Sequence, residues 1–168
     1  SRRQRQMCIR DRIGGIIVLL FIVIYYKVSG IIAVKTLIVN VLFVLACLVG
    51  LEATLTLPGI AGIALTVGMA IDANIIIYER IKEELALETP VREAVETGFS
   101  KAFWTILDAN LTTAVAGLML LNFGTGPIRG FAVTLIIGII CTVYTAYFVS
   151  KMAFQFYMDK TQGKKVSI

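Results

Sequence analysis

The sequence predicts an all-α protein, a polytopic transmembrane helix bundle of about five spans. Three observations lead there. Hydrophobic residues make up 58% of the 168 positions, and the mean hydropathy is +0.85, far above an ordinary soluble domain. Apolar runs of span-like length recur along the chain, parted by short charged or Gly/Pro-containing stretches. A soluble fold would have to bury all of those runs in one small core, which surface-to-volume scaling does not allow. The net charge of +5 is no nucleic-acid signal, because the basic residues lie between apolar runs, where they set topology.

Taken in order, residues 1–12 (SRRQRQMCIRDR) are polar, basic and end abruptly. They read as a basic cytoplasmic flank or, preferably, as a tag or cloning scar, and stand apart from the fold. Residues 13–27 form a first span whose apolar part is short for a crossing. Lys27 and Lys35 mark a basic turn, and residues 31–51 supply a full-length second span. A threonine-rich loop leads to the third span, 58–79, opened by Pro58 and Gly59. Residues 80–101 are the one long polar stretch. Thr89 is a suitable N-cap and Pro90 a suitable first helical residue, so a turn and a short amphipathic helix on the membrane surface are expected there. That segment reads as a solvated connector, with a partner-docking site as the alternative. Spans four and five cover 102–123 and 129–150, joined by the turn NFGTGPIR, and 158–168 form a basic tail. Lysines and arginines at 27, 35, 80–101 and 151–165 then share one side, which the positive-inside rule makes cytoplasmic.

Function concentrates in the third span. Its run from 60 to 78 is broken by Asp72, with Asn74 two positions on. A carboxylate at that depth costs on the order of 3 kcal/mol. Asp72 is either a structural hydrogen-bonding group or a titratable proton or ion carrier, and intramembrane acids favour the second reading. Leu65, Gly68, Met69, Ile75 and Ile76 lie at helical spacing from it, so it is expected to face a tight helix contact rather than a wide aqueous pore. The triplet Asp-Ala-Asn recurs at Asp108-Ala109-Asn110. On antiparallel helices both aspartates lie roughly 10 Å from one face. If those helices touch, the two carboxylates would not both ionise readily, and Asp108 would tune Asp72; otherwise Asp108 braces the start of its own helix.

Other chemistries lack their residues. The chain has no histidine, and Cys8, Cys47 and Cys141 follow no metal spacing, so no metal or cofactor is expected. No Gly-x-Ser-x-Gly turn or metal set supports a hydrolase, and no enzyme activity is expected.

The runs TLPGIAGIALTVGMAIDANIIIYERIKEEL and TILDANLTTAVAGLMLLNFGTGPIRGFAVTLIIGI, at their mutual spacing, resemble the SecD family of protein-export membrane proteins. The resemblance covers residues 13–157 and implies the C-terminal membrane half of SecD, or of a SecDF fusion. That is a half-bundle of the resistance-nodulation-division type. It implies a bacterial inner-membrane subunit coupled to the proton motive force, with a SecF-like half, the Sec translocon channel, preprotein and the lipid bilayer as partners. The family's first helix and periplasmic domain are not in this stretch. Asp72 matches the family's intramembrane aspartate, within a motif from Gly68 to Asn74. Asp108, Asn110, Thr112, Gly124, Gly126, Pro127 and Arg129 match further motif positions. The alternatives are a passive translocon scaffold and a proton-driven small-molecule or lipid exporter of the same superfamily.

Overall fold

The computed structural model describes residues 2–53 and 56–161, with side chains from Ile9 onward apart from position 11. All regular structure among them is helical. Helix α1 spans Arg2–Gly50 and is broken at Lys27, whose φ of 49° and ψ of −114° are not helical. The break is a reversal. A Cβ on Gly30 would lie 2.5 Å from the Ile22 carbonyl oxygen and 2.8 Å from the Val23 Cα, whereas residues eight apart in a straight helix are about 12 Å apart. Only glycine lets the second limb lie that close to the first. Residues 2–12, which the sequence sets apart, continue the first limb. Its apolar part is short, but the helix is not.

Helix α2 spans Leu57–Ala86 and opens with Thr56 as N-cap, its hydroxyl accepting from the Gly59 N–H at 3.2 Å, and Pro58 in the first turn. Helix α3 is Val91–Phe123, and α4 is Pro127–Tyr144. A π-helical turn at Thr145–Val149 carries α4 without interruption into α5, Ser150–Lys160. Among the described residues four helices are long and apolar enough to cross a membrane. With the first folded back at Lys27, the described helices give five limbs, in line with the expected bundle of about five spans.

The structure corrects the reading of the polar stretch 80–101. Its residues prolong α2 by two turns and begin α3, so no separate surface helix exists there. The two helices pack against each other instead. A Cβ on Gly98 would lie 2.7 Å from Ile81 Cγ1, and Ile81, Ala94, Val95 and Phe99 are buried. The expected cap is also displaced. Pro90 takes the N-cap position with no side-chain cap, and the Thr89 hydroxyl donates back to the Glu84 carbonyl oxygen. The tail prediction holds part of a helix, since α5 continues to Lys160; residues 162–168 lie outside the described part.

Small residues set the contact between α2 and α4. Gly59, Gly62 and Thr66 face Gly130, Thr134 and Gly138, and a Cβ on Gly138 would lie 2.1 Å from the Thr66 Oγ1. Lipid offers no hydrophobic drive for helices to associate, so close backbone packing supplies it. The main core lies toward the basic end. There Tyr26 of α1, Tyr78 of α2, Phe154 of α5 and Phe99 of α3 form a chain of rings with centroids 5.2–5.7 Å apart. The Tyr26 hydroxyl donates to Glu79 at 2.7 Å, and Lys82 lies over the rings of Tyr25 and Tyr26. These contacts place the basic segments around 27, 80–101 and 151–160 at one end of the bundle.

Candidate functional site

Helix α2 presents different faces to different neighbours. Thr66, Ala70, Ala73, Asn74, Ile77 and Ile81 are buried. Asp72 is not; it is exposed on the side of α2 next to α3. It stands in an open groove of ≈ 210 Å³ lined by Met69, Asp72, Ala73 and Ile76 from α2 and by Ile106, Ala109, Asn110 and Thr113 from α3. The α3 residues recur at spacings of three and four, one stripe of the helix. Among the described residues no hydrogen bond or ion pair reaches the Asp72 carboxylate, and none of them pairs it with a lysine or arginine. The expected tight helix contact is therefore not formed among the described residues. Gly68, one turn before Asp72, is also exposed, and a Cβ there would meet nothing within 4 Å.

The two Asp-Ala-Asn triplets adopt the same local geometry. Asn74 donates from Nδ2 to the Ala70 carbonyl at 3.0 Å, and Asn110 donates to the Ile106 carbonyl at 2.7 Å. Each asparagine turns inward and each aspartate outward. Asn110 lines the Asp72 groove, whereas Asn74 faces α1, among Leu19, Ile22, Ala33 and Tyr78. Its Oδ1 is buried without a hydrogen-bond partner among the described residues.

Asp108 shares the depth of Asp72, since Ile106, Ala109 and Asn110 lie across the groove from it. It does not share the face. Asp108 is exposed on the outer side of α3, with Trp104, Leu107 and Leu111 also exposed around it. Two residues of helix separate Asp108 from Asn110 by about 200°. The coupled pair of carboxylates expected from the repeat is not assembled within this chain. Thr112 is likewise exposed beside Asp108.

The remaining motif residues lie elsewhere. Gly124, Gly126 and Pro127 build the turn between α3 and α4. Gly126 has φ +49°, and a Cβ on Gly124 would lie 2.2 Å from the Leu120 carbonyl oxygen. Pro127 starts α4, and its carbonyl accepts from the Thr56 hydroxyl at 3.4 Å. Arg129 is exposed beside a cavity of ≈ 350 Å³ that Glu52, Gly126 and Gly130 also line. This cavity is at the Thr56 end of α2, about 24 Å of helix from Asp72. These residues shape the bundle end and do not touch the carboxylate.

Sequence reasoning missed Ile106 as a groove residue, although its spacing from Asn110 carried the signal. It also missed a buried polar tie. The Asn40 Nδ2 donates to Thr142 at 3.4 Å, and the Thr145 hydroxyl donates to Asn40 Oδ1 at 3.1 Å, joining α1 to α4 at the start of the π-helical turn. Among the described residues no cluster of three or more potential metal ligands occurs.

Residues 5–160 match the family model described as protein export membrane protein SecD/SecF, C-terminal. This chain belongs to the SecD/SecF C-terminal family. It is 54% identical over 156 residues to the protein translocase subunit SecD of Syntrophobacter fumaroxidans, covering 93% of this chain and 29% of that protein. It is 51% identical over 156 residues to the SecD subunit of Calditerrivibrio nitroreducens, again covering 93% of this chain and 30% of the relative. The fold matches the crystal structure of SecDF, a translocon-associated membrane protein from Thermus thermophilus, with a TM-score of 0.87 and 40% identity, over 92% of this chain and 22% of that one. SecDF in its super-membrane-facing form aligns with a TM-score of 0.85 and 39% identity, over 92% of this chain and 21% of that one. The chain thus spans less than a third of these SecD/SecF-family proteins. Their shared region is the helical membrane part, and it contains the whole Asp72 groove.

Proposed function

We propose that this chain is the proton-coupling membrane segment of a SecD-type subunit that assists Sec-dependent preprotein translocation across the bacterial inner membrane, with Asp72 as the proton carrier. The observation that carries the reading is the state of Asp72. A carboxylate inside an apolar span, unpaired and standing in a groove with Asn110 and Thr113 on the facing helix, can take up and release a proton without breaking a structural contact. A structural aspartate would be held by donors, and none of the described residues donates to it.

The open groove also fits an incomplete site. A SecF-like half, separate or fused, packs over the Gly68–Asp72 face and closes the proton path. Protonation of Asp72 under the proton gradient then shifts the two halves against each other, and a domain outside this chain transmits the movement to preprotein at the translocon channel. Membership of a family named for protein export supports this assignment over a small-molecule or lipid exporter. The basic end of the bundle faces the cytoplasm by the positive-inside rule.

The test is preprotein translocation into sealed vesicles under a proton gradient, with this segment placed in a complete SecD and SecF system. Asp72→Asn preserves size and hydrogen bonding but cannot titrate. The gradient-dependent increment is expected to vanish at unchanged protein level. An unchanged increment would return Asp72 to a structural role and leave a passive translocon scaffold as the better reading.

A further inference from the structure

Two thiols meet inside the bundle and the proposed mechanism uses neither. Cys47, on the second limb of α1, and Cys141, on α4, bring their sulfurs to 3.9 Å, and both are free. They belong to a small apolar cluster with Val44 and Leu48, against which Ile63 and Ile137 pack. Cys141 is buried, whereas Cys47 is partly exposed. The flank of α1 around it, including Phe43 and Val49, is exposed and apolar, so in a bilayer Cys47 opens onto lipid rather than water.

We propose that Cys47 and Cys141 form an oxidation-sensitive dithiol, a modification site at which a lipid-soluble hydroperoxide joins α1 to α4 by a disulfide. The roles follow from exposure. Cys47 is the one a membrane-dissolved peroxide can reach, and its buried neighbour Cys141 lies close enough to resolve the product. The Cys47 sulfur attacks the terminal peroxide oxygen; the S–O bond forms, the O–O bond breaks, and the thiol proton leaves with the alcohol. The Cys141 sulfur then attacks the sulfenic sulfur of Cys47; the S–S bond forms, the S–O bond breaks, and water departs with the second thiol proton. Two electrons pass from the thiols to the peroxide. The sulfurs must approach by about 2 Å to reach disulfide length.

The bond would close a covalent ring from residue 47 to residue 141. Helices α2 and α3, and with them the Asp72 groove, lie inside that ring. The same α1–α4 contact is otherwise tied by the hydrogen bonds of Asn40 with Thr142 and Thr145. Oxidation would make this contact covalent until it is reduced and prevent any sliding of α1 along α4.

The experiment uses the chain in membrane vesicles with Cys8→Ser, which leaves only this pair. Vesicles are treated with cumene hydroperoxide, unfolded in detergent, alkylated and analysed by mass spectrometry. Expected are the loss of both alkylatable thiols, an intramolecular link between peptides carrying Cys47 and Cys141, and recovery of both thiols with a membrane-permeant phosphine. Cys141→Ala should instead give a dimedone adduct on Cys47 and no link. A charged, water-soluble peroxide should act about ten-fold more slowly, because it does not partition into the apolar phase. Both thiols remaining fully alkylatable, or links forming only between copies, would overturn the proposal. Equal rates with the two peroxides would overturn the lipid route. Should the Cys141→Ala chain fail to accumulate, the Cys8→Ser chain still decides, since it retains both thiols.

Discussion

Asp72 and Asp108 occupy identical triplets and opposite situations, and the difference is one of helix face. The asparagines show the same division. Asn110 lines the Asp72 groove, so Asn110→Leu is expected to lower the gradient-dependent translocation increment while protein level is maintained. Asn74 buries an oxygen with no partner among the described residues, and losing such an atom costs little or helps. Asn74→Leu should therefore leave the thermal unfolding midpoint unchanged or raise it, by up to about 1 kcal/mol in stability. A clear fall in the midpoint would show that the oxygen is satisfied in the membrane. At the basic end, Glu84 has a side chain only 8% exposed and pairs with Lys101 at 2.5 Å. Removing the lysine strands a buried carboxylate, which outweighs the small value of an exposed ion pair. Lys101→Met is expected to cost about 2 kcal/mol, below the fully buried case because Lys101 itself is 55% exposed. The double change Glu84→Gln with Lys101→Met should recover most of that in the same unfolding assay.

Among the elements, helix ends and helix crossings follow different rules. Thr56, Pro58 and Gly59 start α2 as local chemistry dictates, because capping needs only neighbours in sequence. Thr89 and Pro90 do not behave as their composition suggests. Packing of Gly98 against Ile81 draws α2 and α3 into one long hairpin, and the Thr89 hydroxyl serves the end of α2 rather than the start of α3. The Lys27 reversal is the strained point of α1, with a non-glycine residue at φ 49°. Lys27→Gly should relieve that strain and stabilise the bundle by about 1 kcal/mol, read as a higher unfolding midpoint. A lower midpoint would show that the lysine's own contacts outweigh the backbone strain. The α2–α4 crossing has no slack. Gly138→Val would drive a side chain into Thr66, and a loss of about 3 kcal/mol is expected from overpacking, measured by unfolding in detergent.

At the scale of the whole molecule, the half-bundle leaves the Gly68–Asp72 face of α2 exposed. Gly68 and Asp72 are exposed on it, and a Cβ on Gly68 would meet none of the described residues within 4 Å, although a packed helix contact is what small residues beside an intramembrane acid imply. If a SecF-like half supplies that contact, a cysteine placed by Gly68→Cys in a chain lacking its native cysteines should react readily with a lipid-permeant maleimide when the chain is alone. It should become several-fold slower when the second half is co-expressed. Equal rates in both states would place the partner on another face.

The sequence by itself determined the helical membrane class, the count of crossings, the residue that breaks the central span and the family. The first three rest on composition, run length and local spacing, and the family on the resemblance of two motif-bearing runs, all of which the chain carries without reference to its folded form. Only the tertiary structure decided which polar residues meet. Asn40 with Thr142 and Thr145, Glu84 with Lys101, and Cys47 with Cys141 are pairings across helices, and Asp72 and Asn110 line one groove without bonding. Asp108, equally prominent in sequence, is turned about 200° away from Asn110 by helix geometry alone. A shared depth can be read from residue numbers. A shared face depends on how each helix is rotated about its axis, and here close glycine contacts such as Gly138 with Thr66 and Gly98 with Ile81 set that rotation.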